Sequence, residues 1–155
     1  MKLLIEADGG SRGNPGPAGY GAVVRDAASG EVLAEVFDSL GTTTNNVAEY
    51  HGLIAGLRTA ADLAPGADVA VRMDSKLVVE QMSGRWQIKH PALRPLAAEA
   101  RAAARQLGRI TYQWVPRAQN AHADRLANQA MDEAAKPSSA GQPPGQDPVG
   151  GRLLS

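Results

Sequence analysis

Apolar and polar positions alternate over residues 2–8, KLLIEAD, with Leu3, Ile5 and Ala7 on one face, the period of a strand. YGAVVRD at 20–26 and EVLAEVFDSL at 31–40 read the same way, and the short AASG turn between them predicts a hairpin. The period then changes. Over 42–64, TTTNNVAEYHGLIAGLRTAADLA, the positions Val47, Tyr50, Ile54, Leu57 and Ala61 recur at three- and four-residue steps. That spacing predicts an amphipathic helix, with Thr44 or Asn45 as its cap. ADVAVRMD, 67–74, reads as a strand ending in aspartate, and SKLVVEQMSG, 75–84, as a short helix stopped by Gly84. The Pro-punctuated link RWQIKHPALRP leads into an Ala-rich helix over 92–107. An alternating strand, RITYQWV, follows at 109–115, and a last helix, NAHADRLANQAMDEAAK, at 120–136.

The order β-β-β-α-β-α-α-β-α predicts an α/β fold with one mixed five-stranded sheet. Three strands joined by short connections form an antiparallel meander, and two later strands return through helices and so lie parallel. Helices flank the sheet. Two stretches fall outside this periodicity. Between the first two strands, six of the thirteen residues from Gly9 to Gly21 are glycine and two are proline, which reads as a pliable loop. From Pro137 the chain is rich in Pro, Gly and Ser, so the expected division is a domain over 1–136 and a disordered tail or linker over 137–155.

At 155 residues the length suits one domain with a sizeable core. The absence of cysteine excludes a disulfide framework, a thiol nucleophile and a Cys-based zinc site. The apolar start before Glu6 is too short for a signal peptide, and no apolar run approaches a membrane span. A cytoplasmic monomer is the expectation. Sixteen basic residues balance sixteen acidic ones. A nucleic-acid partner is not recommended by that balance, yet a site built of carboxylates would itself cancel basic residues elsewhere.

The carboxylates carry the chemistry. Asp8 and Asp74 each end an expected strand, and in an open sheet ligands bind beyond the carboxyl ends of parallel strands. Glu49 and Asp124 lie near the starts of two helices, beside their apolar stripes. Each has an ordinary explanation: first-turn acids complement the helix dipole, Asp74 suits an N-cap, and Asp8 before two glycines suits a turn. Four carboxylates at one sheet edge are harder to explain, since each close pair repels by about 4 kcal/mol at an effective dielectric of about 20. Divalent cations relieve that repulsion, and oxygen ligands without His or Cys suit Mg²⁺ or Mn²⁺. Two such ions are the usual arrangement for displacement at phosphorus.

The stretches ADGGSRGNPGPAGYGAVV, TTTNNVAEY, MDSKLVVEQ and NAHADRLAN, in that order and spacing, closely resemble type 1 ribonuclease H over residues 1 to about 134. The resemblance implies a ribonuclease H-like fold and an endonuclease that hydrolyses the RNA strand of RNA/DNA hybrids, leaving 5′-phosphate and 3′-hydroxyl ends. Asp8, Glu49, Asp74 and Asp124 match the four carboxylates that hold two Mg²⁺ ions in that family, with Mn²⁺ as a substitute. By the same match Gly9, Gly10, Ser11, Asn14, Asn45 and Asn46 lie along the minor groove of the hybrid. Thr44 helps hold a phosphate of the DNA strand and Ser75 sits beside the RNA, while Trp86 has two readings, packing on a DNA sugar or packing in the core or a hinge. Contacts of this kind read groove shape and 2′-hydroxyls with little base preference.

The match is incomplete in three places. Many relatives carry a histidine in the loop after the last strand, where this chain has Ala118; His122 is the candidate proton-transfer helper in its stead. A basic helical protrusion found in some relatives is reduced here to SGRWQIKHPALRP, which with the neutral net charge predicts weak, salt-dependent binding. The tail could lead to a fused second domain, as in some bacterial relatives. Two other readings stay open, a DNA-directed nuclease on the same fold and a hybrid-binding module without catalysis.

Overall fold

The computed structural model describes residues 1–136 and the backbone of residues 152–154. Five strands, β1 (Lys2–Ser11), β2 (Gly16–Asp26), β3 (Val32–Thr43), β4 (Asp68–Met73) and β5 (Ile110–Trp114), lie in the order β5-β4-β1-β2-β3. β1–β2 and β2–β3 are antiparallel, while β1–β4 and β4–β5 are parallel. This is the mixed five-stranded sheet that the order of elements predicts. A three-residue strand, β6 (Arg152–Leu154), adds antiparallel to the outer edge of β3. The rest of the expected tail, 137–151 and 155, lies outside the described residues.

Helix α1 (Asn45–Leu63) covers one face of the sheet, where Leu3, Ile5, Ala22 and Val24 meet Tyr50, Leu53 and Leu57 in a fully buried core. Helices α2 (Lys76–Met82) and α3 (Arg94–Ala104) extend this layer through Val78, Val79, Ala97 and Ala100. Helix α4 (Ala121–Ala135) covers the opposite face, with Leu126 and Ala130 against Val23 and Phe37. Val23 thus faces α4 while Ala22 and Val24 face α1, the two-residue alternation of a strand buried on both sides. No helix among the described residues is long and apolar enough to cross a membrane.

The Gly-rich stretch is mostly sheet, not loop. β1 runs on through Gly9, Gly10 and Ser11, which pair with Tyr20, Gly19 and Ala18 of β2, so the connection shrinks to Arg12–Pro15. Helix packing is the reason for several of the glycines. A Cβ on Gly9 would lie 2.2 Å from the Ala48 carbonyl oxygen of α1, and one on Gly21 would lie 2.5 Å from Leu126 Cβ of α4. Gly52 answers Gly9 from the helix side, where a Cβ would lie 2.5 Å from the Asp8 carbonyl oxygen. Strand and helix approach until only hydrogen fits between them. This brings the end of β1 and the start of α1 close together.

Candidate active site

Asp8 lies inside β1, opposite Gly21, and is 8% exposed. A turn therefore does not explain it. Asp74 directly follows β4 but does not cap α2: the Ser75 hydroxyl does, accepting from Val78 N–H at 3.3 Å. Glu49 is not in the first turn of α1, because that helix begins at Asn45 with Thr44 as its N-cap. The dipole explanation holds only for Asp124, in the first turn of α4. Three of the four ordinary explanations thus fail on the geometry.

The four carboxylates occupy one end of the sheet and feel one another. Burial raises the Asp8 carboxyl to about 8, helped by the Asp74 charge and by a hydrogen bond and charge from Asp124, against an opposing Gly9 N–H. Glu49 is pushed up to about 7, again mainly by burial; a hydrogen bond from the Ser75 hydroxyl opposes the rise and the Asp74 charge adds to it. Desolvation and like charge act together here, as they do when carboxylates share a site.

Two further side chains brace this group. The Asn120 amide, 1% exposed, donates from Nδ2 to Asp74 Oδ1 and to the Ala7 carbonyl, both at 2.9 Å. Arg117 Nη2 donates to Asp124 Oδ1 at 3.2 Å. Both belong to a 3₁₀ turn, Arg117–Asn120, that precedes α4 where the sequence pattern places only the helix start. The half-exposed Trp114 adds an Nε1–H bond to the Asp74 carbonyl at 3.2 Å. Among the described residues, no three acidic or histidine side chains converge on a single ion site. Even so, the donor set is all carboxylate oxygen, and two of its members resist ionisation, so it fits a hard divalent cation.

The residues expected along a substrate gather beside this edge. The Ser11 N–H donates to Asn45 Oδ1 at 2.8 Å, and the Asn45 N–H donates to Asn14 Oδ1 at 3.1 Å. These bonds tie the β1–β2 turn to the start of α1 and leave the Nδ2 groups of Asn14 and Asn45 for a ligand. Asn46 is exposed next to them. Gly9 is packed under α1, and a Cβ on Gly10 would touch Met131 at 3.3 Å, so either glycine offers a ligand only its peptide groups. Ser75 is buried and committed to its cap and to Glu49, while Trp86 is 45% exposed beyond α2.

His122 is drawn away from the carboxylates. Its Nδ1 faces Arg25 Nη2 at 2.9 Å and its Nε2 faces Glu35 Oε2 at 2.6 Å. Arginine only donates, so Nδ1 accepts and Nε2 carries the proton to Glu35. With both nitrogens held in a cluster over β2 and β3, the ring lacks a free site for the helper role expected of it.

A family model described as "Reverse transcriptase-like" matches residues 6–130, which sets this sheet and its carboxylate edge in that class. "Bifunctional protein Rv2228c" of Mycobacterium tuberculosis is 62% identical over 144 residues, 93% of this chain but only 39% of that protein. The solved N-terminal RNase H domain of Rv2228c superposes with a TM-score of 0.84 at 64% identity, covering 87% of this chain and 96% of that one. RNase H1 of Halobacterium salinarum gives 0.81 at 42% identity, covering 86% and 99%. LC11-RNase H1, from a compost metagenome and solved with an RNA/DNA hybrid, gives 0.79 at 40% identity, again covering 86% and 99%. The chain belongs to the ribonuclease H family.

Proposed function

We propose that this domain is an endonuclease that hydrolyses the RNA strand of RNA/DNA hybrids at the Asp8–Glu49–Asp74–Asp124 edge. The observation that carries the reading is the crowding of Glu49, Asp74 and Asp124 around the buried Asp8, which raises Asp8 and Glu49. A fold gains nothing from that repulsion unless a cation offsets it. The family's relative solved with an RNA/DNA hybrid supports the choice of substrate.

Asp8, Glu49, Asp74 and Asp124 would hold the cations, two Mg²⁺ or Mn²⁺ ions. When bound, these supply an activated water and charge stabilisation for the leaving 3′ oxygen, giving 5′-phosphate and 3′-hydroxyl ends. The protein's own part is positional. Asn14, Asn45 and Asn46 present amides to the minor groove, where 2′-hydroxyls distinguish RNA from DNA. Thr44, Ser11 and the peptide groups of Gly9 and Gly10 flank them, and Trp86 offers an exposed ring to the opposite strand. These groups read shape, so cleavage is largely independent of sequence.

The test is to cleave an internally labelled hybrid in Mg²⁺ and map the ends. Products that are ligated without kinase treatment support the reading. Products bearing 2′,3′-cyclic or 3′-phosphate ends would contradict it, since they mark attack by the ribose hydroxyl.

A further inference from the structure

We infer that Asn120 is a positioning residue, fixing the Asp74 carboxylate and the start of α4 relative to β1 so that the carboxylates can share a cation. This rests on the function proposed above. Asn120 is fully buried and touches the three elements that carry Asp8, Asp74 and Asp124. From the last residue of the 3₁₀ turn, immediately before α4, it reaches the Ala7 carbonyl, just before Asp8, and Asp74 Oδ1 at 2.9 Å each. Asp124 follows one helical turn later.

The chemistry of the contacts is directional. The β1–β4 ladder ends at the Ala7–Met73 pair, and the Asn120 amide takes the Ala7 carbonyl there. Both partners are acceptors, a carbonyl and a carboxylate, so only the NH₂ end of the amide fits between them. Oδ1 is then left buried with no partner, an unusual expense for a side chain whose role is only to fill space. A single NH₂ group bridging two strand ends does what neither a hydroxyl nor an apolar residue can, because it gives two donors at once. An aspartate has the same shape and no such donors.

Groups of this kind orient metal ligands without touching the metal, and their loss typically costs about 10- to 100-fold in metal affinity or activity. The test compares the parent with Asn120→Ala, Asn120→Asp and, as a stability control, Tyr50→Phe. The control removes the buried Tyr50–Gln81 hydrogen bond (2.7 Å), which involves none of the four carboxylates. Each protein is melted in EDTA and over a Mg²⁺ series, and kcat, KM for the hybrid and the Mg²⁺ midpoint are measured well below the melting temperature.

Both Asn120 variants are expected to raise the Mg²⁺ midpoint and lower kcat by about tenfold or more, with KM near the parent's. The magnesium-induced rise in melting temperature should shrink in step, while Tyr50→Phe loses stability alone. Parent-like midpoint and kcat in Asn120→Asp or Asn120→Ala would overturn the inference and leave the proposed function intact. A parent that neither cleaves the hybrid nor gains stability from Mg²⁺ would instead overturn the function, and the inference with it.

Discussion

Replacing Asp8 with asparagine keeps the shape of the side chain and removes its charge, which isolates the electrostatic strain of the site. In the folded protein this carboxyl titrates at about 8, from an ordinary value of 3.8, mainly because it is buried and then because Asp74 stands beside it. Between those values the folded state holds a proton that the unfolded chain has released. Stability from this group is therefore full below about pH 4 and is lost as pH rises towards 8, the direction opposite to that of a salt-bridged carboxylate. Glu49, raised from 4.5 to about 7, acts in the same sense. At pH 7 the Asp8 shift corresponds to at most roughly 4 kcal/mol. Sharing with neighbouring carboxylates reduces the working figure for Asp8→Asn to about 2 kcal/mol, a melting temperature higher by roughly 5–10 °C. The assay is thermal melting at pH 4, 7 and 8.5, in EDTA and in Mg²⁺. In EDTA the variant should gain over the parent at pH 7 and more at pH 8.5, with little gain at pH 4. In Mg²⁺ the parent should recover and the variant should not, because a cation that binds only the folded state stabilises it. An Asp8→Asn protein no more stable than the parent at pH 8.5 in EDTA would refute the reasoning.

Three other expectations concern distinct parts of the molecule. Gly9→Ala drives a Cβ towards the Ala48 carbonyl, so it should destabilise the fold by about 3 kcal/mol in urea unfolding, with hybrid cleavage falling as Glu49 is displaced. Asn46→Ala and Asn14→Ala should raise KM for the hybrid while leaving the magnesium-induced rise in melting temperature unchanged, since both side chains lie at the exposed rim rather than among the carboxylates. His122→Ala should lower stability by about 1 kcal/mol through lost contacts to Arg25 and Glu35 and should leave the cleavage rate near the parent's; a large fall in kcat would restore its helper role.

The alternation in KLLIEAD and the helical stripe from Val47 to Ala61 place β1 and α1 correctly, because both elements bury a continuous face and so write their period into the chain. Connection lengths separate the antiparallel meander from the two parallel strands, while the place of β4 between β1 and β5 is seen only in the structure. What misleads is the glycine run. Composition alone makes it a loop, whereas helices pressing on both faces of β1 and β2 select glycine for close approach, and that pressure is visible only in three dimensions. The carboxylates were legible as a group, yet three of their four ordinary explanations fall only once β1 is seen to run past Asp8, Ser75 to cap α2 and α1 to start at Asn45. Asn120 was not legible as more than a helix start. An asparagine there looks like a cap, and its reach to Ala7 and Asp74 spans elements far apart in sequence. His122 shows the converse: proximity to Asp124 in sequence says nothing of which side of α4 the ring occupies, and its nitrogens face Arg25 and Glu35.

The central claim is tested most directly with one end-labelled RNA presented paired with DNA, paired with RNA, and single-stranded. Each form is incubated with the parent in Mg²⁺, with the parent in EDTA, and with Asp74→Asn in Mg²⁺. Cleavage of the hybrid alone, abolished by EDTA and by the substitution, is the predicted result. An intact hybrid with the parent in Mg²⁺, or cleavage that survives either EDTA or Asp74→Asn, would contradict it.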